Sequence, residues 1–184
     1  MRPGHIFLSA VSVLLFACNK QTLDKETAEN LIKAEYKLPE VVDYTISTGD
    51  PSVAKELLDL GLENDDLVKI TRNQTLGQMG TPWIQFTEKG KAYFLPTQNE
   101  DIKYNQQNVK IAIKEFGEVT GILMGKDNKT AIVKFSVVFK NPTPFSKLLG
   151  GDLSKPKILE AFFIKYDTGW TIDNKKGAYM LMGF

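Results

Sequence analysis

Thr130-Ala131-Ile132-Val133-Lys134-Phe135-Ser136-Val137-Val138-Phe139-Lys140 is the stretch whose reading decides the fold. Ala131, Val133, Phe135, Val137 and Phe139 recur at every second position, with Lys134, Ser136 and Lys140 between them. Successive side chains of an extended chain point to opposite faces, so a period of two predicts a strand with one face in a core. Lys126-Asp127-Asn128-Lys129 precedes it as a hairpin connection. Further upstream, Val109, Ile111 and Ile113 alternate with Lys110, Ala112 and Lys114 in another half-buried strand. Gly117 and Gly121 then mark a turn or bulge before Ile122-Leu123-Met124. Downstream, Lys157 to Tyr166 is apolar on both faces around Phe162 and Phe163, the pattern of a central strand. Asp167-Thr168-Gly169 turns it into Trp170-Thr171-Ile172-Asp173. Hairpin-like connections in sequence make the sheet largely antiparallel, with about four strands. Phe135, Phe139, Phe162 and Trp170 are expected in the core between sheet and helices.

Asn141 to Gly151 interrupts two of these strands. Thr143 can cap and Pro144 can start one or two helical turns, which Gly150 closes. Phe145, Leu148 and Leu149 lie at i, i+3 and i+4 and therefore share a face. That face either lids the open end of the sheet or stays partly exposed as a contact patch or pocket mouth. Lids are the commoner outcome, because exposed apolar clusters are infrequent on monomers. Under the second reading these three residues are the candidate partner-binding site.

The first half of the chain reads as mainly helical. Leu23 to Leu38 has Asp24 at its N-cap, Ala28, Leu31, Ile32 and Tyr36 on one face, and Pro39 as its stop. Val41 to Ile46 is β-rich without clean alternation, and Ser47 to Asp50 is a turn. Asp50 caps a second helix with Pro51 at its first position and Gly61 past its end. Glu63 to Asn73, with carboxylates in its first turn, is the expected third helix. Thr75 to Gly80 is a loop and Trp83 to Phe86 a short strand. Pro96 to Asn108, polar and rich in Asn and Gln, divides residues 18–100 from a sheet part at 101–184.

Arg2 and the apolar run from Ile6 to Ala17 open the chain, followed by its sole cysteine, Cys18, and the polar Asn19-Lys20-Gln21-Thr22. A bilayer-crossing helix needs roughly twenty apolar residues, so this run is too short for one and has the order of a secretory signal. Leu15-Phe16-Ala17-Cys18 resembles the lipobox of bacterial lipoproteins. The resemblance implies cleavage of residues 1–17, acylation of Cys18 and a membrane anchor. Asn19 in second place lacks the aspartate associated with inner-membrane retention, which implies the outer membrane, facing the periplasm, in an organism with two. An ordinary cleaved signal with an incidental cysteine, or a buried N-terminal helix, are the alternatives. A second local likeness lies at Thr87-Glu88-Lys89-Gly90, which resembles the wing region of winged-helix domains and concerns fold alone.

Without residues 1–17, 167 residues remain, with 22 basic against 22 acidic side chains. A neutral exported domain has no field to draw nucleic acid or to hold anionic lipid by charge. His5 is the only histidine, so the mature chain would have none, and no thiol beyond Cys18. That removes Cys–His zinc sites, Ser-His-Asp triads, thiol nucleophiles and disulfides, and no metal or cofactor is expected.

Four short patterns carry only weak signals. Ser52-Val53-Ala54-Lys55 fits the Ser-x-x-Lys of penicillin-binding enzymes, but the companion Ser-Asp-Asn and Lys-Thr-Gly are missing, and surface helix positions explain both residues. Glu63-Asn64-Asp65-Asp66 lacks the spaced loop of an EF-hand. Glu115 and Glu118 form an acid pair too common to mark a glycosidase. Gly90-Lys91 has no glycine-rich phosphate loop before it. The expected whole is thus an α+β protein, helices first and then an antiparallel sheet with a short helix. The expected function is non-enzymatic: a lipid-anchored envelope domain that binds or inhibits another macromolecule. The alternative is a carrier with a small apolar ligand or lipid between sheet and helices.

Overall fold

The computed structural model describes residues 22–173. In chain order the elements are α1 (Lys25–Glu35), β1 (Glu40–Ser47), α2 (Pro51–Asp59), β2 (Val68–Ile70), β3 (Ile84–Phe86), α3 (Glu88–Lys91), α4 (Asn99–Lys103), β4 (Gln106–Met124), β5 (Thr130–Lys140), β6 (Lys157–Tyr166) and β7 (Gly169–Ile172). A six-residue 3-10 helix, Pro144–Leu149, joins β5 to β6. Five strands form one antiparallel sheet in the order β1-β4-β5-β6-β7, and β2 pairs with β3 in a second. The α+β class and the antiparallel sheet therefore stand, with β1 as a fifth strand.

β5 carries the expected register. Ala131, Val133, Phe135, Val137 and Phe139 are all buried. Ser136, on the opposite face, is buried as well, because β4 bulges over it. The β4–β5 register shifts on both sides of Val119, and the Ser136 hydroxyl accepts the Glu118 N–H at 3.0 Å. A Cβ on Gly117 would lie 2.3 Å from that hydroxyl oxygen, so the bulge depends on glycine there. Gly117 and Gly121 thus bend one 19-residue strand without ending it.

The inner face of the sheet is closed from the N-terminal side. Asp24 accepts the Thr27 N–H at 2.8 Å and starts α1 as its N-cap. Ala28 and Ile32 are buried, and the Tyr36 ring stacks on Phe135 with centroids 5.9 Å apart. One buried cluster runs from Leu23 through Leu57, Val109 and Phe135 to Ile172. Among the described residues, the stretches before and after position 100 share a sheet and a core, since β1 pairs with β4 from Glu40↔Lys114 to Ser47↔Gln106.

One expectation in the first half is corrected. Glu63 to Asn73 is not a helix. Gly61 and Asp66 adopt positive φ (74° and 57°), which breaks any helical run, and Leu67 and Val68 are both buried as the chain turns into β2. Glu63 accepts the Ile70 N–H at 2.8 Å and pairs with Arg72, bracing the new strand. Thr87-Glu88-Lys89-Gly90 follows the β2–β3 pair directly as a capped helical turn, and a winged-helix arrangement around it is not confirmed. Thr87 caps α3 by accepting the Gly90 N–H at 3.1 Å and donates its own hydroxyl to the Asp66 carbonyl at 2.6 Å. Lys89 reaches the Asp65 carbonyl at 2.7 Å. The segment clamps the turn before β2, and Gly90 allows it: a Cβ there would lie 2.1 Å from the Leu67 carbonyl oxygen.

Candidate functional site

The residues singled out between β5 and β6 face inward. Phe145 is fully buried, Leu148 is buried and Leu149 half-buried. The Phe145 ring meets Tyr93 at 5.9 Å and Phe86 at 6.2 Å, both edge to face. Thr143 is held by donating its hydroxyl to the Lys110 carbonyl at 2.6 Å, and Lys147 bonds Asp65 at 2.7 Å. Phe145 and Leu148 therefore pack into the core beside β3 and Tyr93. The lid is what their burial supports. Cys18 lies outside the described residues.

The remaining motif residues are occupied locally. Ser52 donates its hydroxyl to Asp50 at 2.6 Å, and Lys55 pairs with Asp59 along α2, so neither group is directed at the other. Arg72 and the Ile70 N–H hold the Glu63 carboxyl below the usual range. Asp24, Asp50, Asp127 and Asp152 are likewise lowered by N–H and hydroxyl donors in the caps and turns that each one builds. Burial raises the Tyr36 and Tyr44 phenols. These shifts have structural causes. Among the described residues no group of three His, Cys, Asp or Glu side chains is placed to hold a metal ion.

The open surface is the outer face of β4, β5 and β6. Leu123, Ile132 and Phe162 lie side by side across three strands, through the pairs Leu123↔Ile132 and Ile132↔Phe162. The Asp173 N–H donates to the Phe162 carbonyl at 2.7 Å and extends the row past β7. Ile164, opposite Thr130 and Thr171, forms the adjacent row. Leu123 is 66% exposed, and Ile132, Phe162 and Ile164 are half-buried, whereas Ala131, Val133, Ala161 and Phe163 on the inner face are all at 3% or less. This apolar strip lines a shallow recess of about 280 Å³. Lys134 and Glu160 pair at 3.1 Å on the side away from the β4–β5 turn, and Ile158, 58% exposed, lies beyond them. An exposed ion pair of this kind contributes about 0–1 kcal/mol to stability. Here it forms a polar border to the strip.

Phe162, expected in the core, belongs to the strip, and Phe163 holds the core position. The signal was present in two places. Lys157 to Tyr166 is apolar on both faces because one face is core and the other is this surface. Ile132 and Val138 also stand in the otherwise polar set of β5. Comparison with protein-family models, curated proteins and solved structures finds no match for this chain.

Proposed function

We propose that this chain is a lipid-anchored cell-envelope protein that binds, and thereby inhibits or tethers, another macromolecule through the outer face of β4–β6. No catalytic step is assigned to it. The observation that carries the reading is the contrast between the two faces of one sheet. The inner face buries Phe135 and Phe163 at 1% exposure, while Leu123, Ile132, Phe162 and Ile164 hold apolar area in water. Contiguous exposed apolar surface on a folded domain marks interaction sites, and a flat strip with a charged border has the anatomy of a protein contact. The anchor reading implies acylated Cys18 in a membrane leaflet and, in an organism with two membranes, the outer membrane facing the periplasm. A carrier of small apolar ligands has less support: the recess on the strip is shallow, and Phe135, Phe145 and Phe163 occupy the space between sheet and helices. The test combines two variants. Cys18→Ser is expected to abolish incorporation of a labelled fatty acid. Ile132→Glu, at a half-buried position, is expected to lower the urea unfolding midpoint by only about 0.5 M and to abolish co-purification of the envelope partner. An Ile132→Glu chain that keeps every partner of the parent contradicts the assigned surface.

A further inference from the structure

The two turns at one end of the sheet and the start of the described chain meet in one place. Thr22 lines a recess of about 550 Å³ together with Met124, Asn128, Lys129, Tyr166 and Trp170. The Lys165 N–H donates to the Lys129 carbonyl at 2.7 Å and binds the β6 end to the β4–β5 turn. Four residue steps separate Thr22 from Cys18, and an extended chain covers at most about 3.5 Å per step, so the reach is about 14 Å. We propose that this end of the sheet is the bilayer-facing surface of the protein, resting on phospholipid headgroups. The inference rests on the lipid-anchor reading and adds the orientation to it.

The chemistry of this end fits a headgroup layer. Tyr166 is 56% exposed and Met124 36%. Tyrosine favours the interface, where its ring meets acyl chains and its hydroxyl meets water. Lys126, Lys129 and Lys165 stand here against Asp127 and Asp167. The Asp127 carboxylate is committed to its own turn, accepting the Lys129 N–H at 2.9 Å and the Thr130 N–H at 3.1 Å. The Lys165 ammonium lies 5.8 Å from the centre of the Trp170 ring. Lysines with apolar stems beside an aromatic suit a surface of phosphate over hydrocarbon. The opposite end of β4 begins after Tyr104, 74% exposed. It lies about 60 Å away along the strand path at roughly 3.3 Å per residue. In this orientation the strip of Leu123, Ile132 and Phe162 rises from the membrane edge, where a neighbouring envelope protein can reach it.

The experiment uses the full chain, processed in cells and reconstituted into vesicles of phosphatidylethanolamine and phosphatidylglycerol. Tyr166→Cys, Asp167→Cys and Tyr104→Cys each receive an environment-sensitive thiol fluorophore, acylated Cys18 being unable to react. Lipids spin-labelled near the headgroup are then added as quenchers. The expected result is a blue-shifted emission and several-fold stronger quenching at positions 166 and 167 than at 104, with no label taken up by the parent chain. Floating, acylated protein quenched equally at all three positions, or unquenched at 166 and 167, overturns the orientation and leaves the anchor standing. A parent chain that takes up the label and does not float with the vesicles overturns both.

Discussion

Phe145 and Phe162 are two phenylalanines that the structure treats in opposite ways, and truncating each to alanine makes the difference measurable. Phe145 is fully buried and edge to face with both Tyr93 and Phe86. Moving such a ring from water to the core is favourable by about 2–3 kcal/mol. The hole left beneath the 3-10 helix cannot be filled by solvent and adds a cavity term, for a total of about 4 kcal/mol, within the usual range for buried Phe→Ala. Phe162 is half in water already, and its loss opens the recess wider without enclosing a void. Only part of the transfer term is lost, about 1 kcal/mol. With a urea slope of roughly 2 kcal/mol/M for a domain of this size, the two midpoints should differ by about 1.5 M. Trp83 and Trp170 report the transition by fluorescence. Midpoints that coincide, or a Phe162→Ala chain that is the less stable, would refute both the burial argument and the separation of lid from surface.

Other outcomes follow from the same geometry. Gly90→Ala sets a methyl against the Leu67 carbonyl, which backbone bonding holds in place, and overpacking of this kind costs about 1–3 kcal/mol. A midpoint equal to the parent's would show that α3 can shift. Acid should unfold the protein through the lowered carboxylates, Glu63 among them. A group whose folded pKa is depressed stabilises above its unfolded value and loses that contribution as pH falls through the folded one, so stability is level near neutrality and declines below about pH 4. Midpoints measured across that range should fall, less steeply in Glu63→Gln. A profile that rises on acidification contradicts the assignment.

The sheet was legible because its signals are local and periodic. The alternation from Ala131 to Phe139 fixes which face is inside, whatever packs there, and Asp50-Pro51 and Asp24 mark helix starts by capping chemistry that needs no tertiary partner. The 3-10 turns at Pro144–Leu149 came from the same kind of cue. Failures cluster where a distant element decides. Nothing in Glu63 to Asn73 shows that its first carboxylate will turn back to brace Ile70, so acids before apolar residues looked like a helix start. Gly90 reads only as part of a wing-like run until the Leu67 carbonyl is set against it. Phe162 and Phe163 are adjacent and chemically identical, and only the knowledge that one face of β6 stays uncovered tells them apart. For the same reason the apolar triplet at Phe145 was visible as a face, while its use as a lid depended on Tyr93 and Phe86 arriving from elsewhere in the chain.

The central claim, that the outer face of β4–β6 meets another macromolecule in the envelope, is tested most directly by photo-crosslinking in living cells. A photoreactive amino acid is placed at Leu123 in one strain and at Tyr104 in another, both exposed but at opposite ends of β4. The predicted result is a discrete adduct of defined mass from position 123, absent from position 104 and lost when Ile132→Glu is added to the first chain. Identical adducts from the two positions, or an adduct at 123 that survives Ile132→Glu, would contradict the account.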